Sequence, residues 1–269
     1  MENNTTTALR IWEAARSILR PLVKHSEAYL TDQDLKKLNI TCTDLDLSTG
    51  KPADGSEIFT RPFSTARIHE ILERTKPWLR VKLLDEKDSM PMVAALEILS
   101  CLISYLVHDG DNESTPLIME AHWDKREMQY DEGERLYRSE RHGTPYGPEW
   151  RVEKVLDKMD GSTPHITCLL ADNAPLRDNQ LSNAEIWCIL AITNRRLQLY
   201  EYHNHRIIPV TVISAADRQL RIVQGYVDGQ HGYLRVRKSP IIDFQQYDLQ
   251  RMELVLSWCL GEPVGHTKP

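Results

Sequence analysis

The stretch that decides the fold runs from residue 184 to 238 and reads IWCILAIT (186–193), RLQLYEYH (196–203), RIIPVTVIS (206–214), RQLRIVQGYV (218–227) and GYLRVRK (232–238). Between these runs stand Asn194-Arg195, Asn204-His205, Ala215-Ala216-Asp217 and Asp228-Gly229. Runs rich in Ile, Val, Leu and Tyr, closed by residues that tolerate tight-turn backbone angles, spell an antiparallel meander of five strands. Upstream, PHITCLLA (164–171) reads as a buried strand entering the same sheet, and 151–159 as a short helix or strand. Downstream, Pro240 stops the last strand, and 243–260 makes a closing helix ended by Gly261 and Pro263.

The first half carries a different period. Leu9, Trp12, Ala15, Ile18, Leu22 and Val23 recur at helical spacing with Arg10, Arg16, Arg20 and Lys24 on the other side, which predicts a docked helix bent or restarted at Pro21. Glu2, Glu13 and Glu27 count against a targeting segment there. One short helix is expected within 32–39, followed by a loop of turn formers, STGKPADGS (48–56). Ser64 is a natural N-cap for a helix reaching about residue 78, and Ser89 for one over 90–108 with Pro91 in its first turn. The latter is apolar over most of its circumference, so it is expected on one face of the sheet. Helices first, a meander next and a helix last give an α+β fold. With no Gly- or Ser-rich linker, the chain reads as a single domain over 1–269, mainly helical to 160 and meander plus terminal helix from 161.

At 269 residues, 41% hydrophobic and 27% charged, the chain is long and apolar enough for a real core. A net charge of -6 argues against general duplex-DNA binding, which needs clustered Lys and Arg to neutralise phosphates. Cys42, Cys101, Cys168, Cys188 and Cys259 stand singly with no CxxC pair, as expected of reduced thiols in an intracellular protein, cytoplasmic or nuclear. A zinc site is discounted on the same ground. The apolar run 90–107 is interrupted by Glu97 and Ser100 and is too short and polar for a membrane span. The acidic turn at 108–113 lacks the ligand register of a calcium loop.

Three groups of residues carry candidate chemistry. His122, Asp124 and Glu127 place an imidazole and two carboxylates within one or two turns if the segment is helical, fit for acid–base work or for one divalent metal. The alternation with Lys125 and Arg126 is equally that of a solvated, ion-paired face. His203 and His205 flank a predicted turn. Tyr233, Arg235 and Arg237 alternate with Leu234 and Val236, so the cationic side chains share one strand face, and Arg221 adds a further cation. Arg and Tyr on such a face suit a carboxylate, a phosphate or a single-stranded nucleic acid. The polar, aromatic stretch 119–150, with Trp123, Tyr130, Tyr137, Tyr146 and Trp150, suits a lid or a partner surface. No nucleophile elbow, dinucleotide fingerprint or zinc-protease motif occurs, and no motif names a cofactor.

Residues 187–210, WCILAITNRRLQLYEYHNHRIIPV, resemble a strand-turn-strand segment of uncharacterised fungal proteins, some related to PD-(D/E)XK nuclease-like domains. The resemblance implies a fungal-type intracellular protein with a related sheet, while the E-x-K motif of that nuclease family is absent. The leading expectation is therefore a soluble intracellular binding or protein-interaction protein, with a protein partner or a small acidic ligand and without a membrane. An enzyme using His122, Asp124 and Glu127 on an acidic substrate held by Arg221 and Arg235 is the alternative. A degenerate nuclease-like nucleic-acid-binding protein is the second.

Overall fold

The computed structural model describes residues 2–75, 90–108, 115–126, 137–138 and 150–269. The fold is α+β, with helices dominating the N-terminal half and strands the C-terminal half. Helix α1 (Glu2–Val23) buries Ile11, Ala15, Ile18 and Leu22 and turns Arg10, Arg16 and Arg20 outward. It runs unbroken through Pro21, which falls in the last turn, where few backbone bonds remain to lose. After β1 (Tyr29–Leu30), helix α2 (Asp32–Lys37) is opened by a reciprocal cap. The Asp34 amide donates to Thr31 Oγ1 at 3.2 Å and the Thr31 amide to the Asp34 carboxylate at 3.0 Å. Strands β2 (Ile40–Asp44) and β3 (Thr60–Arg61) follow. Helix α3 (Thr65–Thr75) is capped by Ser64, whose Oγ accepts the Arg67 amide at 3.3 Å.

Helix α4 (Pro91–Val107) starts at Pro91 behind Met90, with no side-chain cap; Ser89 lies outside the described residues. Then come α5 (Leu117–Glu120), β4 (Trp123–Arg126), β5 (Tyr137–Arg138), β6 (Trp150–Lys158), β7 (Ile166–Asp172) and β8 (Leu181–Ser182).

Of the five runs expected as strands, the first is a helix and the second is turns. Helix α6 (Asn183–Arg196) takes in IWCILAIT, and 196–203 makes turns with one 3-10 turn at Tyr200–Tyr202. The α6 side chains are buried on nearly every side, so no polar stripe marks the helical period, and β-branched Ile and Thr imitate a buried strand. The start signal was nonetheless written in Ser182-Asn183-Ala184-Glu185. Ser182 Oγ accepts the Glu185 amide at 3.2 Å, and the Glu185 carboxylate accepts the Ser182 amide at 2.8 Å. The remaining runs are β9 (Val210–Ala216), β10 (Gln219–Asp228) and β11 (Tyr233–Lys238), a meander closed at Asp217 (φ 52°) and at 229–232. The chain ends with β12 (Ile242–Asp243), α7 (Leu249–Cys259) capped by Asp248, and β13 (Glu262–Pro263).

The main sheet runs β2-β11-β10-β9-β7-β6-β4, with β12 added on β10 and β5 on β6. It is mixed: β9–β10 and β10–β11 are antiparallel, while β7–β9 and β11–β2 are parallel. Helices α1 and α6 cover one face over Val210, Val212, Val223, Val227, Leu234 and Val236. Helices α3, α4 and α7 cover the other over Leu169, Ile213, Leu220 and Ile222. Gly225 lets α6 approach closely, since a Cβ there would sit 2.7 Å from Ile189 Cδ1. Among the described residues no helix is long and apolar enough to cross a membrane.

Candidate functional site

Strand register divides the expected arginine set between the two faces of the sheet. Arg237 stands opposite Gln224, and Arg235 opposite Tyr226. Residues directly opposite share a face, so all four side chains project to one side, with Leu234 and Val236 to the other. Arg221, odd-numbered on β10 like Val223, projects with the α6 side instead. There it is buried against Glu185, at 1% and 0% side-chain exposure. Its Nε and Nη2 donate to the carboxylate at 2.6–3.0 Å, and Nη1 donates to the Arg177 and Gln180 carbonyls at 2.7 and 3.0 Å. All five donors are spent, so Arg221 anchors α6 to the sheet and has nothing left for a ligand.

On the opposite face β2 extends the polar rows by one strand. Thr43 pairs with Arg237, and Thr41 with Arg235. One row therefore reads Thr43, Arg237, Gln224, Thr211, Thr167 across five strands, and a shorter one Thr41, Arg235, Tyr226. The chain between β2 and β3 folds over the end of these rows. Arg237 is buried beneath it, with Nη1 donating to Gln224 Oε1 at 2.9 Å and Nη2 donating to Ser56 Oγ at 3.0 Å and the Glu57 carbonyl at 2.6 Å. Its guanidinium lies 5.2 and 5.5 Å from the ring centroids of Phe59 and Tyr226, and burial lowers its pKa from the usual arginine value.

What remains open is a cleft of about 340 Å³ lined by Thr41, Cys42, Thr43, Asp54, Ser56, Tyr226, Arg235, Val236 and Arg237. Arg235 is its available cation: 42% of its side chain is exposed, and its ion-pair partner among the described residues is Asp228 at 3.9 Å. Asp54 faces the same arginines. Hydrogen bonds from Ser56, first from the hydroxyl and then from the amide, hold its carboxyl below the usual carboxylate range. Cys42 pairs with Val236 and so turns its side chain to the opposite face, against the core under α1 and α6, where burial pushes its thiol up to about 11 and keeps it a neutral group. Tyr233, exposed, lies further along the same strand face and outside the lining.

The His122, Asp124, Glu127 group is elsewhere and of different geometry. His122 is exposed with φ 56° in the turn before β4, and Asp124 is an exposed residue of that strand, so helical spacing does not relate them. Glu127 lies outside the described residues, as does most of 119–150. Strands β10, β9, β7 and β6 lie between β11 and β4, which sets Asp124 about 24 Å from Arg235 at ordinary strand spacing. His203 and His205 also part company. His203 Nε2 lies 2.8 Å from the Leu197 carbonyl, while buried His205 meets Thr267 Oγ1 through Nδ1 at 2.8 Å. No group of three metal-ligating side chains forms among the described residues.

The lining residues that sequence reading passed over are Thr41, Thr43, Asp54, Ser56 and Tyr226. Only the T-x-T of Ile40–Asp44 carried a local signal, polar side chains two apart on one strand face. No family model, no curated protein and no solved structure matches the chain.

Proposed function

We propose that the protein is a binding protein whose cleft at the β2 edge holds a small anionic group, a carboxylate or a phosphate. The observation that carries this reading is Arg235. It is a half-exposed guanidinium on the cleft wall whose ion-pair partner among the described residues is Asp228 at 3.9 Å, set in register with Thr41 and beside Arg237, whose Nη1 and Nη2 already donate to Gln224, Ser56 and Glu57. A guanidinium with unspent donors in a partly desolvated recess favours bidentate anion contacts. The volume is at the small end for ligand sites and suits one acidic group rather than an extended cofactor. Binding is favoured over catalysis because the carboxylate and imidazole expected to do chemistry sit at the far edge of the sheet. The five free cysteines fit a reducing, intracellular setting, which belongs to this reading.

Isothermal titration with glutarate and with inorganic phosphate tests it. Arg235→Ala should weaken binding of the anion by about tenfold or more, as expected for loss of a charge-assisted contact. Equal binding by the wild type and Arg235→Ala, or no binding by either, overturns the proposal.

A further inference from the structure

The cleft runs along a strand edge that the protein leaves partly open. Among the described residues strand β2 ends the main sheet and pairs with β11 alone. The Leu234 amide donates to the Asn39 carbonyl at 3.0 Å and the Leu45 amide to the Lys238 carbonyl at 2.9 Å, which fixes the phase of this parallel ladder. Residues 39, 41, 43 and 45 turn their backbone groups toward β11, and Ile40, Cys42 and Asp44 turn theirs outward. At one end the protein itself begins to use this edge. The Ala53 amide donates to the Asp44 carbonyl at 2.8 Å, and Leu45 forms an antiparallel bridge with Pro52. The chain then leaves the edge and climbs onto the sheet face, where Ser56 and Glu57 take the donors of Arg237. The amide and carbonyl of Cys42 are left without a partner among the described residues, on the wall of the cleft.

We propose that this edge accepts an extended acidic peptide, which adds as a further strand along β2 and places a Glu or Asp side chain against Arg235. The inference rests on the anion reading above and names the ligand that satisfies it. Backbone bonds to Cys42 supply the attachment, and the cationic cleft selects an acidic side chain. Side chains two apart on a strand point the same way at about 7 Å spacing, so one acidic residue meets Arg235 and the next lies level with Thr43.

The probe is a fluorescein-labelled pentapeptide of alternating threonine and glutamate, compared with the same peptide N-methylated at its threonine amides and at its glutamate amides, and with glutarate. Binding is read by fluorescence polarisation and by backbone amide shifts in the full chain. The peptide should bind about tenfold tighter than glutarate and lose about tenfold in one of the two N-methylated forms, the size expected for one or two backbone hydrogen bonds. The Cys42 amide should shift with the peptide and not with glutarate, and Arg235→Glu should abolish both interactions. If both methylated peptides bind as well as the parent, or the Cys42 amide stays still while the cleft responds, the strand-addition proposal is overturned and the anion reading stands. If neither peptide nor glutarate binds, the anion reading itself has failed.

Discussion

Arg221 and Arg235 occupy adjacent strands of one hairpin, yet they face opposite sides of the sheet and live in opposite environments. Arg221 is sealed beneath α6 with every donor satisfied by Glu185 and two carbonyls. Arg235 lies half in water, its carboxylate partner among the described residues 3.9 Å away. The contrast teaches that a cation's chemistry follows from its unspent donors and the water it keeps, not from its residue type or its strand. A buried, fully paired arginine positions a helix, and a half-buried, under-paired one can recruit an anion.

The largest expected effect that can break this contrast is at Arg221. Arg221→Met should cost about 3–5 kcal/mol in urea denaturation, because it leaves the Glu185 carboxylate buried without its counter-charge. A loss below about 1 kcal/mol would mean that the pair does not anchor α6. Next comes Gly225→Ala, whose Cβ would press on Ile189 and push α6 off the sheet. About 1–3 kcal/mol of stability should go, and much of it should return in the double variant with Ile189→Val. At the small end, Arg235→Ala should move stability by no more than about 0.5 kcal/mol, since its ion pair with Asp228 is long and wet.

Acid sharpens the same distinction between buried and open groups. Burial pushes His165 and His205 down to about 4, below the ordinary 6.5. The unfolded chain therefore binds protons near pH 6.5 that the folded chain refuses until about pH 4, and stability falls as pH drops through that window. Asp172 works in reverse. Burial pushes its carboxyl up to about 7 from 3.8, with the neighbouring Glu185 charge adding to the rise, so the folded state holds a proton that the unfolded state releases. Its contribution is present below pH 3.8 and is lost as pH rises through about 7. Melting temperatures of Asp172→Asn should accordingly drop more steeply than wild type between pH 7 and 4, and parallel slopes would show that Asp172 is ionised throughout.

Much of the fold could be read locally, because local pattern governs it. The cap at Ser64, the apolar α4 on a sheet face and the β9-β10-β11 meander all follow from spacing and turn chemistry, whereas the closing helix expected from 243 begins only after its cap Asp248, because 242–243 pair with β10 instead. Helix α6 was misread because burial on nearly all sides erased its polar stripe, although its capping box at Ser182 and Glu185 was in view. The same misreading touches the resemblance over 187–210, which was carried by a strand-turn-strand pattern where residues 187–196 are helical. The parallel partners left no local trace. Asp44 and Lys238 meet in the β2–β11 ladder although 194 residues apart, and no periodicity announces that.

The candidate site was half legible for a related reason. Alternation along β11 placed Tyr233, Arg235 and Arg237 on one face, as found. Grouping Arg221 with them required the β10–β11 register, which sets Gln224 rather than Arg221 on the face of Arg237. Asp54 and Ser56 came to the cleft through a loop whose course is fixed by Arg237, a contact between residues about 180 positions apart.

Backbone amide shift mapping with glutarate tests the central contrast most directly. The account predicts that Thr41, Thr43, Tyr226 and Arg235 respond in a saturable way while Arg177, Glu185 and Arg221 stay still. Saturable shifts centred on Glu185 and Arg221, or no saturable shift at the β2 edge, would contradict it.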